Sequence, residues 1–270
     1  MIVTKWLLCA LLAQVASLAF AADGTYECLI EPDRRVELRS PVQALIAKIL
    51  VDRGSVVRQG QLLVELDSSI EQAALESARY RSVMAGETQA AQARTDYSRD
   101  KFRRREELVS QSIISAQDRD DSFAEMCVAE ADLVQAKDNT RLSALEAKRL
   151  EATIAQRQLR APFAGIVTDR LQHPGELAFT GEGAKPILKL ATTDPLRVEV
   201  ILPVALYGTI KPGSQGEVEP EAPLRGKWIA QVQVVDRVVD SASGTFGVRL
   251  ELPNPNGEIP GGVKCRVKFQ

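Results

Sequence analysis

The chain has 270 residues, with 34 Lys and Arg against 36 Asp and Glu, one His, four Cys and 5% aromatics, which is room for two or three small domains. A net charge of −2 leaves no excess of positive charge to neutralise phosphates and argues against a nucleic-acid partner. A single histidine argues in the same way against histidine-based catalysis and His-rich metal sites.

Residues 1–21 have the three parts of a secretory signal: a short lead ending at Lys5, an apolar run from Trp6 to Phe20, and small residues in Ala19-Phe20-Ala21. The alternative is a permanent anchor. As a helix the apolar run reaches about 22 Å at ~1.5 Å per residue, short of a ~30 Å hydrocarbon core, and no stop-transfer charge cluster follows it. Cys9 lies inside the run, ahead of the cleavage signal, and is a poor lipidation site. The expectation is a cleaved leader and an exported, soluble protein in a compartment that permits disulfides.

Residues 22–67 read as an N-terminal strand followed by the first half of a small β-domain. Ser40-Pro41-Val42-Gln43-Ala44-Leu45-Ile46 leads to Gly54-Ser55-Val56 and then to Gln61-Leu62-Leu63-Val64-Glu65-Leu66. A second segment, over residues 158–194, resembles it: Ala161-Pro162-Phe163-Ala164-Gly165-Ile166-Val167, then Gly175-Glu176-Leu177, then Pro186-Ile187-Leu188-Lys189-Leu190. Pro41 stands as far from Gly54 as Pro162 does from Gly175. Both segments alternate apolar and polar residues and turn at glycine. Neither can form a core alone, so they are expected to pack together as one β-sandwich.

Between them, over residues 68–157, Gly86 is the only glycine and there is no proline. The stretch is rich in Ala, Glu, Gln, Arg and Leu, which form helix readily. Apolar residues recur at three- and four-residue steps in the second half, at Ala124, Cys127, Ala131, Val134, Leu142, Leu145 and Ala152. That is the seam pattern of a coiled coil. The first half shows a weaker series of Ile70, Ala73, Ser77, Tyr80, Met84 and Ala91, then Phe102 and Leu108. The pattern breaks at Val109-Ser110-Gln111-Ser112-Ile113-Ile114-Ser115, and Ser115 with Asp118 reads as the cap of a new helix. Two equal arms follow, 69–111 and 115–157, each about 60 to 65 Å long, an antiparallel hairpin inserted in the split β-domain. An insertion whose ends meet costs little more entropy when it is long.

Over residues 195–270, Leu196 to Leu202, Ser214 to Glu219, Lys227 to Val239, Thr245 to Leu252 and Val263 to Phe269 read as strands, with a helical turn at Pro203 to Gly208. Five or six strands in so short a span suggest a small barrel, which removes exposed edges. The fold class is therefore mixed α and β and elongated: a split β-sandwich with an inserted α-helical hairpin, then a β-barrel.

This organisation resembles the periplasmic adaptor subunits, or membrane fusion proteins of the HlyD family, that serve tripartite efflux pumps. In that light the sandwich is lipoyl-like. The most specific likeness is at the hairpin tip, where adaptors that dock on TolC-like outer-membrane channels carry Arg-x3-Leu-x6-Ser; Arg104, Leu108 and Ser115 have that spacing. Leu108, Ile113 and Ile114 are expected to expose apolar surface there, the mark of a partner site, and the Arg104 fork of donors to reach a partner's carbonyls or carboxylates. The alternative is a hydrophobic staple that closes the loop. Lys101, Arg103 and Arg105 are expected to pair with Glu106, Glu107 and Asp118.

The resemblance implies a non-enzymatic adaptor with no cofactor or metal. It would link an inner-membrane transporter of the resistance-nodulation-division (RND) type to the channel, as a homo-oligomeric ring of three or six copies. An adaptor of an ATP-driven (ABC-type) exporter or type I secretion system is the alternative. Many RND adaptors add a membrane-proximal domain, which here is expected to be absent or reduced to Asp23 to Glu37. The termini of such adaptors tend to meet in the barrel, which leaves Cys28 either bonded to Cys265 or an ordinary strand residue; Cys127 is expected on the helical seam, inert.

Other functions fare worse. A biotin or lipoate carrier needs a lysine on the turn that the hairpin replaces. A hydrolase has only His173, in a loop, with no nucleophile or orienting group near it in sequence. A metal-efflux role would favour Met and His clusters, and the chain has three Met and one His.

Overall fold

In the computed structural model, which describes residues 24–270, residues of alternating burial form the strands and glycines turn the chain between them. The expected leader over residues 1–21, with Cys9, lies outside the described residues. The chain divides into two compact units, one running up to Arg35 together with Ala191–Gln270, the other Val36–Leu190.

The first unit is a closed barrel of six strands in the order β1 (Thr25–Pro32), β10 (Leu196–Pro203), β13 (Thr245–Leu252), β12 (Trp228–Val235), β11 (Gln215–Pro220) and β14 (Val263–Phe269). Every second residue points inward, so Ile30, Val198, Val200, Leu202, Val232, Leu250 and Val267 fill the centre. Burying each such side chain stabilises the fold by about 1.5 to 3 kcal/mol. β1 pairs with β10 on one side and β14 on the other, and so closes the barrel from the far end of the chain. In that register Cys28 faces Cys265, with Cα atoms 4.8 Å apart, and the two are joined in a disulfide.

The second unit holds the lipoyl-like sandwich. One sheet runs β2 (Arg35–Leu38), β9 (Leu188–Ala191), β7 (Gly165–Arg170), β4 (Val56–Val57); the other runs β6 (Gln158–Arg160), β5 (Leu62–Leu66), β3 (Ala44–Ile49), β8 (Leu177–Ala178). Each sheet takes strands from both segments, and the two turn glycines bond across to the other segment. Gly54 N–H donates to the Val167 carbonyl at 2.8 Å, and Gly175 N–H donates to the Ile46 carbonyl at 2.9 Å. Both glycines have φ near +90°, at +86° and +89°, which a Cβ would disfavour. Ile46, Val57, Leu63, Leu66, Val167, Leu188 and Leu190 from both segments share the core.

The insertion leaves from β5 and returns into β6, which are paired strands. Its ends are tied where Leu66 N–H donates to the Arg157 carbonyl at 2.9 Å and the Arg157 guanidinium binds both the Asp67 carbonyl and the Glu71 carboxylate. The first arm is two helices, α1 (Ser69–Val83) and α2 (Gly86–Ser110), against a single α3 (Ala116–Gln156). The expectation of two unbroken arms is corrected at Met84-Ala85, where Met84 turns to extended backbone with ψ 111° and Gly86, the poorest helix former of the stretch, opens the next helix.

The seam is also corrected. The α3 residues that face the first arm are Ser122, Ala129, Leu133, Ala136, Ala147 and Leu150. All seven residues of the expected α3 seam, Ala124, Cys127, Ala131, Val134, Leu142, Leu145 and Ala152, are exposed. So are Ile70, Ala73, Ser77, Tyr80 and Met84, whereas Ala91, Phe102 and Leu108 are half-buried. The interface uses small and polar residues that satisfy themselves. The buried Thr95 hydroxyl lies 2.9 Å from both the Ala91 and Ala129 carbonyls, and Ser98 and Ser122 hydroxyls donate to carbonyls of their own helices. Small side chains allow close approach of the helices, and the larger apolar residues are left outside. Cys127 is therefore an exposed free thiol. Ion pairs flank the seam, among them Arg79–Glu151 at 2.6 Å and Arg99–Glu130 at 2.8 Å, exposed to solvent and therefore weak. Leu75, Leu133 and Leu150 contribute more per residue.

The disulfide closes a loop with a sequence separation of 237, for which the chain-entropy model gives about 5 kcal/mol. Cys28→Ser combined with Cys265→Ser is expected to lower barrel stability by up to that amount in denaturant titrations. An unchanged midpoint would show that strand pairing alone holds β1.

Candidate docking site at the hairpin tip

The tip is made by one helix ending and another starting within a few residues. α2 stops because Ser112 adopts φ +58°, and the following backbone folds over the helix end. Ile113 N–H donates to the Leu108 carbonyl at 2.9 Å and Ser112 N–H to the Val109 carbonyl at 2.9 Å, the Schellman pattern that satisfies terminal carbonyls. In that motif the residue after the left-handed position packs back toward the last helical turn, which pairs Ile113 with Leu108. α3 starts with a capping box. The Asp118 N–H donates to Ser115 Oγ at 3.2 Å, while the Asp118 carboxylate accepts from the Ser115 N–H at 3.3 Å and from its hydroxyl at 2.6 Å. These bonds, the hydroxyl's first and the N–H's second, hold the Asp118 carboxyl below the usual carboxylate range.

Of the five tip residues singled out from the sequence, Arg104 and Ser115 are exposed, Ile113 is 61% exposed, and Leu108 and Ile114 are half-buried. The apolar surface is thus smaller than expected, because closing the turn uses part of it. Ser115 has its side chain committed to the cap. Arg104 lies one helical turn before Leu108 and has no ion-pair partner among the described residues. Of its neighbours, Arg105 meets the expected Asp118, donating to its backbone carbonyl at 2.9 Å, whereas Lys101 pairs with Glu125 at 2.6 Å and Arg103 with Asp100 at 3.0 Å in place of Glu106 and Glu107. Lys101 and Arg105 reach α3, which lies alongside, while Arg103 pairs one turn back on its own helix. Just below, the Phe102 and Phe123 rings meet at 5.4 Å and brace the two helices.

Two contributors were missed in the sequence. Ser112 is the left-handed residue, and its signal was the paired apolar Leu108 and Ile113 on either side of a polar run. Phe123 was outside the expected seam. Away from the tip, His173 is exposed and its carbonyl accepts from Glu176 N–H in the sandwich turn. No group of three or more His, Cys, Asp or Glu among the described residues is placed to hold a metal ion, and no helix among them is long and apolar enough to cross a membrane.

Residues 196–270 match the family model of the CusB-like, beta-barrel domain. Over 208 residues the chain is 25% identical to the pyoverdine export membrane fusion protein PvdR of Pseudomonas aeruginosa, covering 76% of this chain and 53% of PvdR. Over 257 residues it is 27% identical to the efflux pump periplasmic linker BepD of Brucella suis biovar 1, covering 90% of this chain and 62% of BepD. The crystal structure of MacA from Actinobacillus actinomycetemcomitans has the same fold, with a TM-score of 0.77 at 18% identity over 91% of this chain and 78% of MacA. The fold and the relatives are those of the membrane fusion proteins. The chain spans 53% to 62% of the length of these curated relatives. The tip is the part of the hairpin farthest along the chain from the sandwich that anchors it.

Ser112→Gly is expected to relieve the left-handed conformation and raise the melting temperature by an amount equivalent to up to about 1 kcal/mol, and Ser115→Ala to lower stability by about 0.5 to 2 kcal/mol. Because the folded Asp118 carboxyl is depressed, its contribution is complete above the unfolded carboxylate range and is lost as pH falls through the depressed value. Amide protection factors at the start of α3, relative to intrinsic exchange at the same pH, are therefore expected to fall in acid, and to lose that acid dependence in Asp118→Asn.

Proposed function

We propose that the chain is a non-catalytic periplasmic adaptor that links an inner-membrane efflux transporter of the RND type to a TolC-like outer-membrane channel. The observation that carries the reading is the tip. There a guanidinium with no ion partner, Arg104, and the 61%-exposed Ile113 stand at the end of a helical hairpin, with Leu108 between them in sequence. An unpaired fork of donors beside a small apolar surface suits a partner that offers carbonyls or carboxylates around an apolar contact. The CusB-like barrel match and relatives named for pyoverdine export and for an efflux pump support the same reading.

In this reading several copies associate through their lipoyl-like domains as a ring of three or six, the hairpins line a conduit, and the barrels face the transporter. Such a conduit seals the path and has no need to select what passes. It uses no cofactor. The structural role of Ser115 sharpens the docking role of Arg104 and Leu108: the cap sets the angle at which the tip is presented, and the other two make the contact.

Arg104→Asp and Leu108→Ser are each expected to abolish efflux, read as drug tolerance in a strain lacking its own adaptor, with export and circular dichroism of the protein unchanged. Parental tolerance in both variants would overturn the docking assignment.

A further inference from the structure

The hairpin is packed in two separate blocks. Toward the sandwich, Leu75 and Ala78 of α1 meet Ala147 and Leu150 of α3, with Ala74 and Ile154 beside them. Toward the tip, the buried residues are Thr95 and Ser98 on α2 and Ser122, Ala129, Leu133 and Ala136 on α3. Between the blocks nothing is buried, over residues 79–94 of the first arm or 137–146 of α3. The ion pairs that join the arms leave the same gap: Arg79–Glu151 lies on its sandwich side, Arg94–Asp132 and Arg99–Glu130 on its tip side. Within the gap Arg81 attracts Glu146 through space, and Thr88 Oγ1 lies 3.5 Å from Thr140 Oγ1.

Both arms are weak at this level. The first is interrupted there: α1 ends at Val83, Met84 is extended, and the helical ladder resumes where Gln89 N–H donates to the Ala85 carbonyl at 2.8 Å. α3 runs through, but over the gap it carries Asp138, Asn139, Thr140 and Ser143, which are poor helix formers. The Thr140 and Ser143 hydroxyls donate back to the Ala136 and Asn139 carbonyls, each at 3.1 Å, a bond that loosens and bends helices. Thr95 and Ser122 make the same bond inside a packed seam, whereas Thr140 and Ser143 have no buried neighbours at their level.

We propose that this level is an elbow, at which a tip segment of the hairpin tilts against a base segment fixed to the sandwich. A bend of about 20°, the size of an ordinary helix kink, at the foot of a lever of about 37 Å, which is the length of α2, moves the tip by about 13 Å. The tip can then meet a partner over a range of positions while the sandwich core stays undisturbed. The bend belongs to the chain alone and needs no partner at the tip, so it stands or falls separately from docking.

Amide exchange and residual dipolar couplings, measured on the full chain with Cys127→Ser, test the elbow. Opening at an elbow frees the local amides, so those of residues 140–145, in the middle of α3, are expected to be at least tenfold less protected than those of residues 129–136 and 147–150. Fitted separately, the couplings of the tip segment, α2 with residues 116–136, are expected to show lower order than those of the base segment, α1 with residues 147–156. Thr88→Cys with Thr140→Cys, oxidised with diamide, places a staple across the gap and is expected to bring both segments under one set of alignment parameters. Even protection along α3, or one set of parameters for both segments of the unstapled chain, overturns the proposal. A difference in order that persists in the stapled chain overturns it as well, since the tilt would then lie elsewhere.

Discussion

The pairing of β5 with β6 is the constraint on which the second unit depends. Neither segment of the sandwich can cover its own apolar face: Ile46, Leu63 and Leu66 come from one segment, and Val167, Leu188 and Leu190 from the other. Folding the core therefore brings the two ends of the helical insertion together. The Leu66–Arg157 backbone bond and the Arg157–Glu71 pair then carry that closeness into the first turn of α1 and the last of α3. Once both helices start side by side, a modest seam suffices to keep them together. A helix pair of this length without such an anchor would need a richer apolar interface.

That economy explains the composition of the hairpin. Its inner face is made of Ala, Ser and Thr with a few leucines, and the buried Thr95, Ser98 and Ser122 hydroxyls each bond back to carbonyls. The larger apolar residues Val134, Leu142 and Leu145 are left exposed. At the tip the same logic applies on a smaller scale. Turning the chain uses Ser112, Ser115, Asp118 and part of Leu108, and leaves Arg104 and Ile113 exposed.

The barrel meets a different requirement. A sheet of five C-terminal strands would leave two edges open to pairing with other chains. β1 fills the gap from the other end of the sequence and is tied to β14 by the Cys28–Cys265 disulfide.

Much of this was legible in the sequence alone, because local periodicity and turn chemistry are local facts. Period-two alternation marked the strands of the barrel. The equal spacing of Pro41 to Gly54 and Pro162 to Gly175 marked the repeat whose two glycines now stand in equivalent turns. Ser115 with Asp118 marked the start of α3. Other features required the tertiary structure. Periodicity reports that a helix has an apolar face and does not say what covers it, so the strongest stripe on α3 was read as the inner seam although it lies on the exposed face. Cys127 went to the wrong side with it. The pairing of Lys101 with Glu125 and the mixing of segments between the two sheets depend on neighbours distant in the chain, and only packing brings those neighbours into range.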